Sequence, residues 1–181
     1  MMIHKLADVQ SLKIGAQTLV WQYCVILEGA TIGNYGNINC NVFIENDVVI
    51  GDYVTIKPGV QIWDGMRIGN RVFIGGNVCF TNDLYPRSRQ KPERFLPITI
   101  EDGVSIGANS TILPNVTLHK YAMIGAATVI TKSVPPYTLW VGNPAKLSGY
   151  VTRSGKVIDL NLYDKENIQY TLIDGEPVAL I

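Results

Sequence analysis

From Ile14 to Phe80, and again from Ile100 to Ile130, every sixth residue is large and apolar. The first run is Ile14, Val20, Ile26, Ile32, Ile38, Ile44, Ile50, Ile56, Ile62, Ile68, Ile74 and Phe80; the second is Ile100, Ile106, Ile112, Leu118, Ile124 and Ile130. These eighteen positions take fifteen of the chain's 21 isoleucines, so isoleucine is placed here by position. Four residues later the chain is usually small or β-branched, as at Cys24, Ala30, Val54, Val72, Ser110 and Thr128. A helix needs a period of 3.6 and a half-buried strand a period of two. A period of six fits a short strand plus a tight corner, repeated.

A second period sets the shape. Gly15, Gly33, Gly51 and Gly69 are 18 residues apart, and so are Gly107 and Gly125. Three hexads therefore make one coil, and counting by 18 puts these glycines on one corner, where a tight turn favours a residue without Cβ. Stacked coils superimpose isoleucine on isoleucine, about 4.8 Å apart. The architecture is all-β: a parallel β-solenoid with a triangular cross-section, in which no coil buries its apolar face alone. The stretch "FTNDLYPRSRQKPERFLP" (80–97) breaks the rhythm. Phe80 and Ile100 are expected on the same face. Gly69 and Gly107 are 38 apart, so the break counts either as one lost coil or as an excursion from one edge.

Composition narrows the function classes. Lys plus Arg and Asp plus Glu are 15 each, so there is no basic footprint for nucleic acid. No apolar run approaches the roughly 20 residues that span a bilayer, and "MMIHKLADVQ" lacks an apolar signal-peptide core. The expectation is a soluble cytoplasmic protein. Cys24, Cys40 and Cys79 share no CxxC spacing and read as packing residues, and two histidines are too few for a three-histidine zinc site. No metal is expected.

The hexads and the ending "GAATVITKSVPPYTLWVGNPAK" (125–146) resemble the hexapeptide-repeat acyltransferases over roughly residues 5–150. That resemblance implies a left-handed parallel β-helix, although the general crossover rule favours a right-handed turn. It also implies acetyl-CoA or acyl-CoA as co-substrate and a homotrimer with active sites between neighbouring prisms. Two segments, "NVFIENDVVIGDYVTIKPGVQIWDG" (41–65) and "FTNDLYPRS" (80–88), are similar to the branch that N-acetylates nucleotide-linked 3-amino sugars. The form "TND-YPRS" resembles most the enzymes for dTDP-3-amino-3,6-dideoxyhexoses, which serve cell-surface, lipopolysaccharide or S-layer glycans. Enzymes for UDP-linked 3-amino uronates come next.

Such a reaction needs a neutral amine, a thioester carbonyl beside it and donors for the developing oxyanion. Asn82 and Asp83 are the expected catalytic pair. An Asn carbonyl can accept from the 3-amino group and orient its lone pair; Asp83 can accept from an ammonium or a hydroxyl, or cap its own loop. Asn82 falls in register with Asp64, Asn46 and Glu28 at 18-residue steps. Glu28 and Asp64 are candidate substrate contacts, whereas Asn46 reads as an ordinary corner rung. Arg87 offers a planar fork for a diphosphate or a surface ion pair. Lys57 is placed to assist the phosphates. Trp63 or Tyr85 is placed to stack on base or sugar, and Trp63 equally suits packing against another subunit. For the cofactor, the residue after each corner glycine runs Ala16, Asn34, Asp52, Asn70, Ala108 and Ala126. A polar corner that turns to alanine leaves backbone N–H groups approachable, so Gly107, Ala108, Gly125 and Ala126 are expected to meet the pantetheine arm. Lys132 and Lys146 are candidate contacts for CoA phosphates, with Asn143 and Pro144 shaping the exit turn. His119, one residue after Leu118, is the only interior candidate base; the resemblance implies a reaction without one, in which the leaving CoA sulfur takes the proton.

The chain divides into an N-terminal lead-in (1–13), the β-helix (14–134) with its loop excursion (81–99), and an exit segment with a β-hairpin tail (135–181). The tail shows hairpin signals at Ser154-Gly155 and Asp174-Gly175. Rival readings are a sugar O-acetyltransferase, which needs a positioned base, and a non-catalytic β-helix scaffold, for which a long polar loop has no use.

Overall fold

The computed structural model describes every residue except Lys91 and Ile181. Two-residue strands, one per hexad, wind a left-handed parallel β-helix of about eight coils, with no helix among the described residues. The first face stacks Met2–Ile3, Leu19–Val20, Asn37–Ile38, Thr55–Ile56, Phe73–Ile74, Ser105–Ile106 and Met123–Ile124. The second carries Asp8–Val9, Val25–Ile26, Phe43–Ile44, Gln61–Ile62, Cys79–Phe80, Thr111–Ile112 and Val129–Ile130. The third carries Thr31–Ile32, Val49–Ile50, Arg67–Ile68, Thr99–Ile100 and Thr117–Leu118. From Val20 to Ile130 the second residue of each strand points inward and is buried. Burying one such isoleucine is worth about 1.5–3 kcal/mol, so a polar substitution anywhere along this column removes a support shared by two neighbouring coils.

The pairing corrects three expectations. Ile68 pairs with Ile100 and Phe80 with Ile112, each 32 residues on. The break is therefore an insertion of fourteen residues at one corner, with no coil lost, and Phe80 and Ile100 lie on different faces. Gly107 and Gly125 also leave the corner of Gly15, Gly33, Gly51 and Gly69. The earlier corner, between the third and first faces, continues through Glu101-Asp102 and His119-Lys120. Gly107 and Gly125 belong to the corner between the first and second faces, above Gly75. There the backbone N of Ala108 lies 2.6 Å from where a Cβ on Gly75 would be, so close coil contact requires the glycine. Lastly, the β-helix does not begin at residue 14: within the expected lead-in, Met2–Ile3 and Asp8–Val9 are already wound as its first coil.

Beyond Ile130 the chain closes the stack. Gly142 accepts from the Val129 amide and Ala145 donates to the Val129 carbonyl, covering an edge a solenoid otherwise leaves open. Thr138–Val141 extends the first face and turns back as Lys146–Val151, which pairs with Val157–Ile158 across Gly155. A second hairpin joins Tyr170–Ile173 to Glu176–Ala179 through Asp174 and Gly175, both at positive φ. The tail is pinned by the buried Asp164. Its carboxylate accepts from Lys156 Nζ (2.6 Å), Tyr170 Oη (3.2 Å) and the amides of Glu166 and Ile168 (both 2.9 Å).

Candidate functional site

The three corners carry different chemistry. At the corner between the third and first faces, four successive amides are capped by a side chain of the next coil. Ala16 N donates to Asn34 Oδ1, Asn34 N to Asp52 Oδ1, Asp52 N to Asn70 Oδ1 and Asn70 N to Asp102 Oδ1, at 2.6–2.8 Å. The left-handed residue of this corner is often tyrosine, and Tyr35 and Tyr53 stack with centroids 4.8 Å apart. Arg71 lies over Tyr53. Ring contacts offset part of the roughly 1–2 kcal/mol that a non-glycine residue costs in that conformation.

The corner between the first and second faces has no such ladder. Its equivalent residues are Gln22, Cys40, Pro58, Gly76, Ala108 and Ala126. The amides of Ala108 and Ala126 meet no acceptor among the described residues, although those on either side, Gly107 and Asn109, Gly125 and Ala127, are all engaged. Both alanines are exposed. Lys57 lies at this corner, its Nζ 6.0 Å from the centre of the Phe73 ring.

The corner between the second and third faces holds the loop. The chain leaves at Phe80 and returns at Ile98. Leu96 N donates to the Asn82 carbonyl (3.0 Å) and closes the loop at its root. The Asn82 side-chain amide is half-buried and makes no hydrogen bond among the described residues, so all its donors and acceptors are open to a ligand. Asp83 Oδ1 accepts from Tyr85 N (2.8 Å), the loop-capping geometry, with its other oxygen unengaged. Tyr85 is 83% exposed at the tip. Arg87 donates to the carbonyl of Pro86 and otherwise faces solvent.

Along this corner the 18-residue series splits. Asn46 Oδ1 accepts from Gly29 N and Asp64 Oδ1 from Asp47 N, so both act as rungs. Glu28 stays exposed beside a cavity of about 430 Å³ shared with Lys13 and Asn46. Trp63 is half-buried; its ring packs against Phe43, and its Nε1 donates to the Phe80 carbonyl (2.7 Å). Lys132 lies at this corner too, but its Nζ rests 5.2 Å over the Trp140 ring. Asn143, Pro144 and Lys146 are exposed on the exit segment, and the Asn143–Pro144 peptide is cis.

One pair escaped the sequence reading. His119 Nδ1 lies 3.0 Å from Glu101 Oε1, and Lys120 N donates to the other oxygen of Glu101. The 18-residue spacing of Glu101 and His119 was the available signal, hidden because counting across the break misassigns that corner. The pair sits at the end of the third face away from the loop. So the loop brings Asn82, Asp83, Tyr85 and Arg87 together with Trp63 and Asp64 beneath. Ala108 and Ala126 lie at the opposite edge of the second face, and His119 at the third corner.

The family signature described as Bacterial transferase hexapeptide (six repeats) matches residues 47–82 and 97–132, the hexads on either side of the loop. Over 182 aligned residues the chain is 45% identical to the dTDP-3-amino-3,6-dideoxy-alpha-D-galactopyranose 3-N-acetyltransferase of Aneurinibacillus thermoaerophilus, covering 99% of this chain and 95% of that one. The chain belongs to the hexapeptide-repeat acetyltransferases. Among solved structures of such transferases, VCA0836 of Vibrio cholerae, complexed with acetyl coenzyme A, is 30% identical with a TM-score of 0.51, over 76% of this chain and 69% of that one. A point mutant of the N-acyltransferase AntD from Bacillus cereus, in complex with dTDP and coenzyme A, has a TM-score of 0.55 at 20% identity, over 84% and 81% of the two chains; that likeness concerns the fold alone. No helix among the described residues of this transferase is long and apolar enough to cross a membrane.

Proposed function

We propose that this protein transfers the acetyl group of acetyl-CoA to the 3-amino group of a nucleotide-linked sugar, with a dTDP-3-amino-3,6-dideoxyhexose of the galacto or gluco form as acceptor. The observation that carries this reading is the 45% identity to a dTDP-3-amino-sugar 3-N-acetyltransferase across nearly the full length of both chains. The site's chemistry supports it. Asn82 presents an unused amide to orient the amine, Asp83 a free carboxylate oxygen, and Arg87 an exposed guanidinium with one N–H on the Pro86 carbonyl and the rest open to a diphosphate. Ala108 and Ala126 present free backbone N–H groups that suit a pantetheine arm or an oxyanion, with Gly107 and Gly125 keeping that corner thin. Lys146, Asn143 and Pro144 on the exit segment are candidate CoA contacts, and Glu28, Asp64 and Tyr85 on the loop corner candidate sugar-nucleotide contacts; Lys57 lies on the corner of Ala108 and Ala126 and Lys132 on the loop corner, so each reaches its expected ligand only where two prisms meet.

Donor corner and acceptor loop sit at opposite edges of one face. Bringing acetyl to amine is therefore best served by a loop and a corner from two adjacent prisms, as in a homotrimer. On this reading the enzyme works in the cytoplasm and feeds O-antigen or S-layer glycan assembly. The test is thiol release from acetyl-CoA with a panel of dTDP- and UDP-linked 3- and 4-amino sugars. Turnover is expected with a dTDP-linked 3-amino-3,6-dideoxyhexose; release with no 3-amino sugar defeats the proposal, and preference for a UDP-linked 3-amino uronate moves it to the neighbouring branch.

One observation favours a second reading. The Glu101 carboxylate fixes the His119 ring and leaves Nε2 free, an arrangement suited to a base for a sugar hydroxyl. On that reading, replacing His119 abolishes turnover.

A further inference from the structure

Along the second face the amide after each column residue donates to the column carbonyl of the next coil. Leu27 N reaches Ile44 O (3.0 Å), Glu45 N reaches Ile62 O (3.0 Å), Thr81 N reaches Ile112 O (3.1 Å) and Leu113 N reaches Ile130 O (3.0 Å). The bond missing from this series is Trp63 N to Phe80 O. Gln61 N to Val78 O is missing too, and the strands Gln61–Ile62 and Cys79–Phe80 are adjacent without being paired. The second face is thus split into two sheets by a seam one coil wide, at the level where the loop departs. Phe80 lies at the seam. It is the one aromatic residue among the eighteen column positions and is 2% exposed, so a ring occupies an interior slot that is aliphatic elsewhere in the column. The Phe80 carbonyl is not left bare: Trp63 Nε1 crosses the seam to it at 2.7 Å, with the indole braced on Phe43.

We infer that Trp63 is a positioning residue for the acceptor site, a latch that replaces the absent backbone ladder and holds the Phe80 carbonyl two residues ahead of Asn82. Its polar atom is spent on the protein, so its contribution to the reaction runs through the loop root. Asn82 keeps its aim because a side chain spans a gap the backbone cannot. The inference rests on the reading of Asn82 as the amine's partner, but the latch itself is testable without that reading.

The experiment compares wild type with Trp63→Phe, which keeps a ring on Phe43 and deletes the N–H. Hydrogen exchange of the Thr81 and Leu96 amides is expected to quicken at least fivefold, with ladder amides away from the seam, such as Leu27, unchanged. The kcat/KM for the amino sugar is expected to fall about tenfold, with the KM for acetyl-CoA within twofold. Adding Phe80→Ile lets the seam close through the backbone and is expected to recover most of both losses. Unchanged exchange at Thr81 and Leu96 in Trp63→Phe overturns the latch. So does a kinetic loss that Phe80→Ile leaves in place, since that assigns the loss to contact between the indole and the ligand. If wild type acetylates no 3-amino sugar, the functional reading fails, and the exchange measurements alone decide the latch.

Discussion

Two corners of this prism are built from the same hexad and have opposite chemistry. Between the third and first faces, Asn34, Asp52, Asn70 and Asp102 cap the amide of the coil before, and tyrosines stack outside them. Between the first and second faces, Ala108 and Ala126 leave their amides free. The capped rungs of the first corner are spent on holding the coils together; the bare corner gives up those bonds and presents donors. In a repeat fold, a functional site is therefore marked by the rungs that are missing. The loop corner carries the idea further, because there the backbone ladder itself is interrupted at Phe80.

The comparison breaks if substitutions at the two kinds of corner have the same consequences. The largest effect is expected at the loop. Asn82→Ala should lower kcat/KM for the amino sugar by about a hundredfold or more, with the melting temperature within a few degrees of wild type; steady-state kinetics and calorimetry check both. The saturated corner should behave in reverse. Asp102→Ala removes the acceptor of Asn70 N (2.7 Å) and should cost about 1–3 kcal/mol of stability, measured by denaturant unfolding, while the folded protein keeps its turnover. At the same corner His119→Asn should lower kcat by less than about tenfold, since a general base contributes roughly 10²–10⁴. A hundredfold loss with the fold intact would make the Glu101–His119 pair part of the site and favour the hydroxyl-acetylating alternative.

The smallest effect belongs to the tail. The hydrogen bond from Lys156, with the amides of Ile168 and Glu166, holds the Asp164 carboxyl at about 2, below its ordinary 3.8. A depressed carboxylate favours the fold when ionised. Its contribution is complete above the ordinary value and is lost as the pH falls from about 4 to about 2. Hydrogen exchange at Ile168 and Tyr170 should quicken over that window, and Asp164→Asn should remove the acid step.

Much of the fold was legible because the hexad acts locally. Each column residue announces its own strand, and Ser154-Gly155 and Asp174-Gly175 announce their hairpins. Phase was lost only across the break. A loop inserted at a corner has no fixed length, so counting by 18 from Gly69 led to Gly107, whereas the pairing of Ile68 with Ile100 decides the register. The free amide of Asn82 and the use of Asp83 as a loop cap agree with what their residue types allow. The Trp63 contact was not legible, because a bond from an indole to a carbonyl 17 residues on depends on a gap in the backbone ladder. The trace it left was a lone aromatic, Phe80, in an aliphatic column.

On this reading the prism supplies a rigid donor site and the inserted loop the acceptor site. Replacing residues 81–97 by a corner of regular length, such as the segment Leu113–Asn115 with flanking residues, separates the two in one protein. Acetyl-CoA binding by calorimetry should persist within about threefold of wild type, with thiol release in the presence of a dTDP-linked 3-amino-3,6-dideoxyhexose reduced to background. Release at a rate near that of wild type from the loopless prism would contradict the account.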